Sequence, residues 1–199
     1  MEPTARPREA LLRPVESLPG VLVHPAADRR LAAEQWLLST LGDDARARAR
    51  REWTDHRVAV LPLGTLVSAV RLPARLVLAV AGGRTPSADV DQFLAEVLDD
   101  GPVICDPRGL RYYALVPASM PATWRAAAEE WSSAEIECLG RGCYLGVPRL
   151  DVVDQDPRVG SYWSVPMESA ARLCGPMAVA RLIAAGWHEL SGRDADEEA

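Results

Sequence analysis

The residues best able to hold a metal or attack a substrate are three histidines and four cysteines, and their spacing frames neither chemistry. His24, His56 and His188 fall in separate segments, none within an HExxH pattern and none beside a cysteine pair at zinc spacing. Cys138 and Cys143 bracket a glycine turn and could join Cys105 and Cys174 around a zinc ion. A structural zinc site normally brings two close pairs, so unmodified thiols are the expectation. All 22 basic residues are arginine, and without lysine the chain offers neither a Schiff-base amine nor a P-loop. GxSxG is absent too. Asp89 and Asp91 open a helical pattern, where capping and the helix dipole account for them. The run Gly140-Arg141-Gly142-Cys143-Tyr144-Leu145-Gly146 lies between two strand patterns rather than at a strand-to-helix junction. It predicts a hairpin turn, not a dinucleotide cradle.

The whole chain has the size and balance of one globular domain: 199 residues, 48% apolar and 25% charged. With 28 acidic residues against 22 basic, the net charge of -6 disfavours nonspecific binding of duplex DNA through its phosphates. Residues 1–20 carry four prolines and no apolar signal core, which predicts an extended or loosely docked arm and no export. The longest apolar stretch, 58–70, is interrupted by Pro62 and Gly64 and is too short for a membrane span of roughly 20 residues. The cytoplasm is the expected compartment, consistent with reduced cysteines. Residues 191–199 read as a solvated acidic tail, leaving 21–190 as the folded unit.

Within that unit, apolar spacing predicts a helix from an Asp28 cap to Gly42 and a second from Asp43 to Trp53. The arginines of the second, at alternate positions, point in several directions and read as a solvated face rather than a phosphate site. Two valine-rich and leucine-rich runs between Arg57 and Leu72, broken by Pro62-Leu63-Gly64, predict a hairpin. A short helix should follow Pro73 and end at Gly82-Gly83, and another should start from Ser87 and run to Leu98. Strands at 102–105 and 111–116 flank the turn Asp106-Pro107-Arg108-Gly109. A polar link near Trp124 to Ser133, strands at 135–139, 143–147 and 161–165, and a closing helix from Pro176 to Trp187 make the second half mostly β. The fold class is therefore α/β in the α+β sense, a mostly antiparallel sheet with packed helices.

The order Val58 to Gly64, Leu66 to Leu72, Gly101 to Gly109 with Tyr112-Tyr113, Leu139 to Pro148, Tyr162-Trp163 and Leu173-Cys174 resembles the actinobacterial proteins related to the bifunctional DNA primase/polymerase N-terminal (prim-pol) domain, a branch of the archaeo-eukaryotic primases. The likeness covers roughly Trp53 to Trp187, about two thirds of the chain, through short motifs. It implies a prim-pol-like fold. Active members hold two metal ions and a nucleoside triphosphate with an acidic pair, a later histidine and a third acid, since carboxylate oxygens suit hard divalent cations. The first motif aligns with Val67-Ser68-Ala69-Val70-Arg71, so Ser68 and Arg71 replace the acids. Tyr144 stands at the histidine position, and Glu137 is the one acid near it on that strand. The resemblance thus implies a catalytically inactive module with no cofactor and no metal, acting by binding a nucleotide or a protein partner, a second copy of the chain included. Its candidate groove is Ser68, Arg71, Arg108, Arg111, Glu137, Arg141 and Tyr144, rich in the side chain that best pairs with phosphate. A nucleotide-binding or nucleic-acid-binding accessory of replication or a mobile element is a variant of this reading. The competing reading is an enzyme of undefined reaction using Glu137, Asp106 or a cysteine, which requires a reactive group with a perturbed pKa in a cleft.

Overall fold

A computed structural model describes residues 14–18, 21–23, 25–132, 135–156 and 160–197, with the backbone alone at 15–18, 21–23 and 193–197. His24, most of the proline-rich arm and residues 198–199 of the acidic tail lie outside the described residues. Strands β1 (Val15–Leu18) and β2 (Val21–Val23) form an antiparallel pair. Helix α1 (Ala26–Leu38) starts two residues before Asp28, because Pro25, with φ near -52°, occupies the cap and its carbonyl accepts from Arg29 N–H at 3.0 Å. Asp28 sits in the first turn instead. Helix α2 (Asp43–His56) has its two acids at the start and ends on Arg57 in the left-handed region. Its arginines do diverge: Arg46 donates to the α1 carbonyls of Leu38 and to Leu41, Arg48 pairs with Glu52, and Arg50 with Glu34 of α1.

Strands β3 (Val58–Pro62) and β4 (Val67–Pro73) form where the valine-rich runs predict them, but they do not pair with each other. Helices α3 (Ala74–Val80) and α4 (Ala88–Val97) follow, the second capped by Ser87, whose hydroxyl accepts from Val90 N–H at 3.4 Å. Strands β5 (Val103–Asp106) and β6 (Arg111–Pro117) make the expected hairpin, with the Asp106 carboxylate accepting from Gly109 N–H at 3.1 Å. The alanine-rich stretch read as a link is helical: α5 (Met120–Thr123) and α6 (Arg125–Trp131). Alanine, arginine and glutamate are strong helix formers, and Trp131 gives α6 a buried anchor. Strands β7 (Glu137–Leu139), β8 (Tyr144–Pro148) and β9 (Tyr162–Val165) precede α7 (Pro176–Glu197), the longest helix, which runs ten residues past Trp187. The second half is therefore not mostly β.

The architecture is α+β. The main sheet is antiparallel, in the order β7-β4-β6-β5-β9, and β3 pairs with β8 in a separate antiparallel ribbon. Both expected turns at Gly64 and at Gly140 to Gly142 are thus crossovers between sheets, not hairpins. Period-2 alternation splits the main sheet into two faces. Val70, Leu72, Tyr112, Ala114 and Val103 pack against α3, α4 and α7 through Leu76, Val77, Leu94, Val179 and Ile183. Val67, Ala69, Ile104, Leu115 and Trp163 face the ribbon and α1–α2 through Leu61, Leu145, Val147, Leu37 and Trp53. Three layers result. No helix among the described residues is long and apolar enough to cross a membrane.

Candidate functional site

The main sheet brings Arg71 and Glu137 together. They are register partners across β4 and β7, and their side chains form an ion pair in which both remain partly exposed. On the same face, Tyr113 of β6 is the register partner of Arg71. Burial pushes the Tyr113 hydroxyl pKa up, with Asp106 and Glu137 raising it further and Arg71 and Arg111 lowering it. One half-buried tyrosine therefore feels two guanidinium groups and two carboxylates.

The remaining predicted groove residues go elsewhere. Ser68 is three positions from Arg71 on one strand and so projects from the opposite face, fully buried, its hydroxyl donating to the Ala118 carbonyl at 3.3 Å. It lines no groove. Arg108 is exposed in the β5–β6 turn, beside Gly160. Arg111 opens β6, opposite Pro73 at the far end of β4, whereas Arg141 lies beside Gly64 before β4 begins. The six residues of β4 between those ends span about 20 Å, too far for Arg111 and Arg141 to hold one phosphate. Tyr144 belongs to the ribbon, opposite Pro62, with two thirds of its surface exposed.

The two-metal chemistry that the resemblance would imply does not fit these residues. Ser68 and Arg71 could not share a site even as acids, being on opposite faces, and Arg71 brings a cation already paired with Glu137. Among the described residues no three histidine, cysteine, aspartate or glutamate side chains gather as a metal site needs. All four cysteines are free thiols: Cys105 and Cys174 are buried, Cys138 and Cys143 partly so. Burial pushes the Cys105 and Cys174 pKa values up to about 12 and raises that of Cys138, so these three stay protonated at neutral pH and are poor nucleophiles.

One titratable group escaped the sequence reading. Asp91, in the first turn of α4, lines a cleft of about 310 Å³ with Ser87, Asp154 and Gln155. Its carboxylate accepts from the Ser164 hydroxyl and from the Tyr162 hydroxyl at 3.3 Å. Desolvation raises its pKa, and those two hydrogen bonds oppose the rise. The available signal was in β9: Tyr162 and Ser164 alternate with Trp163, and polar groups on a buried strand face require a partner. Comparisons with protein-family models, curated proteins and solved structures give no match.

Proposed function

We propose that the chain is a catalytically inactive prim-pol-like module that works by binding. The observation that carries this reading is the Arg71–Glu137 pair. At the strand position where a primase-like enzyme would gather carboxylates around divalent cations, this chain holds a guanidinium, and the nearest acid is spent on neutralising it. Electrostatic stabilisation of a transferred phosphoryl group needs free carboxylates to hold the metals, and the pair supplies none. Primer extension on a primed template with magnesium or manganese tests this directly. No incorporation above a denatured control is expected. Incorporation that disappears in Glu137→Ala would overturn the reading.

The second reading, an enzyme of undefined reaction, is favoured by Asp91 rather than by Glu137, Asp106 or a cysteine. Its raised pKa and cleft position are the features of a general acid or base. Both of its hydroxyl donors are buried in β9, so the same contacts also serve as structural hydrogen bonds. Loss of any activity detected with the wild-type protein in Asp91→Asn, at unchanged melting temperature, would establish it.

A further inference from the structure

A cleft of about 530 Å³ lies where β4 passes into α3 and is bordered by the β5–β6 turn and α7. Its volume is in the range of small-molecule sites. Leu78, Leu110 and Leu190 form apolar walls, and among the described residues no aromatic side chain lines it. Arg75, Arg84 and Arg111 stand at its polar side with Glu135. Arg75 and Glu135 form an exposed ion pair at 3.5 Å, while among the described residues neither Arg84 nor Arg111 has an acidic ion-pair partner. Among the described side chains that line it, three arginines against one glutamate leave two positive charges in excess. Counting Asp106, which faces Arg111 across the β5–β6 ladder, still leaves one. The chain as a whole carries -6, so this positive excess is local.

Backbone conformation marks the same place. Six described non-glycine residues have positive φ, and two of them, Leu110 at 51° and Glu135 at 63°, line this cleft. A leucine in the left-handed region is strained, because its Cβ crowds the neighbouring carbonyl oxygen. Leu110 is held there by two bonds to its carbonyl, from Ala74 N–H at 2.9 Å and from the Arg111 guanidinium at 3.1 Å. The strained turn leaves the Leu110 side chain 62% exposed, so the cost is not recovered by burial in the free protein.

We propose that this cleft binds a soluble phosphate monoester with an aliphatic body. Arg84 and Arg111 supply the charge and the forked donors that match a phosphate dianion. Leu78, Leu110 and Leu190 cover the body, and with no aromatic surface to stack on, a planar base is disfavoured. This assigns a ligand class to the binding module proposed above. The two stand apart in testing, because primer extension would sink that reading without touching the cleft.

Calorimetric titration with monomeric octyl phosphate tests it, with inorganic phosphate, octyl glucoside and adenosine monophosphate as probes of charge alone, chain alone and a planar body. Octyl phosphate should bind at least tenfold more tightly than each of the three. Arg84→Ala and Arg111→Ala should each weaken it about fivefold or more, and Leu110→Ser should weaken it while leaving inorganic phosphate unchanged. Equal affinity for octyl phosphate and inorganic phosphate, or equal affinity of the wild type and Arg84→Ala, which changes an exposed residue and should leave the fold intact, would overturn the proposal. So would tighter binding of adenosine monophosphate, or binding to phosphatidic acid vesicles without binding to monomeric octyl phosphate.

Discussion

Gly64 lies against the backbone of Arg141, so the two crossovers that join the ribbon to the main sheet touch at one point. Gly64 has φ of +88°, and a Cβ there would fall on the Arg141 main chain. Neither the conformation nor the space admits a side chain. Gly64→Ala should therefore destabilise the protein by about 2 kcal/mol or more, read as a lower urea midpoint. An unchanged midpoint would mean the crossovers separate at little cost.

Gly186 offers a sharper contest between two effects. Placing alanine in the middle of α7 should gain up to about 1 kcal/mol in helix propensity. Its Cβ, however, would stand 2.5 Å from Leu76 Cγ, in a core where Leu76 is buried. Overpacking of that kind costs roughly 1–3 kcal/mol, so Gly186→Ala should be net destabilising. Leu76→Ala should relieve it, making the double variant more stable than the sum of the two single changes. Strict additivity in thermal unfolding would refute the contact as the cause.

For the Arg71–Glu137 pair, partial exposure limits the coupling to less than about 1 kcal/mol. Removing Glu137 alone leaves a guanidinium whose Nε is already buried without a partner, so Glu137→Leu should cost more than the pair itself contributes. Arg71→Leu combined with Glu137→Leu should cost less than Glu137→Leu alone. Denaturant unfolding of the four proteins of the cycle measures this, and a double variant weaker than either single one would count against it.

The elements legible in the sequence were those marked by local chemistry. Ser87 caps α4 and the Asp106 to Gly109 turn closes β5 onto β6 because each signal acts within three residues. Pairing is not local. Nothing in Pro62-Leu63-Gly64 says that β3 will find β8 rather than β4, and the hairpin reading failed for that reason. The site suffered the same limit. Arg71 and Glu137 were both singled out, but their union depends on the β4–β7 register, and Ser68 was counted beside Arg71 although strand periodicity alone puts it on the other face. Arg75 and Arg84 went unnoticed because their cleft is assembled from four separate segments.

Asp91 makes stability depend on pH in a direction opposite to most carboxylates. Its pKa in the folded state is raised above 3.8, so the folded protein binds that proton more tightly than the unfolded chain does. The contribution is fully present below 3.8 and is lost as pH rises through the folded value. The stability of the wild type relative to Asp91→Asn should thus fall from about pH 4 upward, until the pH has passed the raised folded-state value. Urea midpoints of both proteins across that range check it, and a flat difference would contradict the desolvation of Asp91.

Trp53 donates its indole N–H to the Val147 carbonyl at 2.9 Å, and Trp163 donates its own to the Pro148 carbonyl at 3.0 Å. Two tryptophans from different elements thus hold the end of β8, and the first is 94 residues away in the chain. β4 to β7 lie inside the loop that the β3–β8 ladder completes, so the ribbon forms only by closing a long stretch of chain. The entropy of that closure must be met before any ladder contact rewards it. Refolding is therefore expected to be slow for a chain of this length. The tryptophan signals of Trp53 and Trp163 should mature in the last phase, after the β5–β6 hairpin is protected from hydrogen exchange.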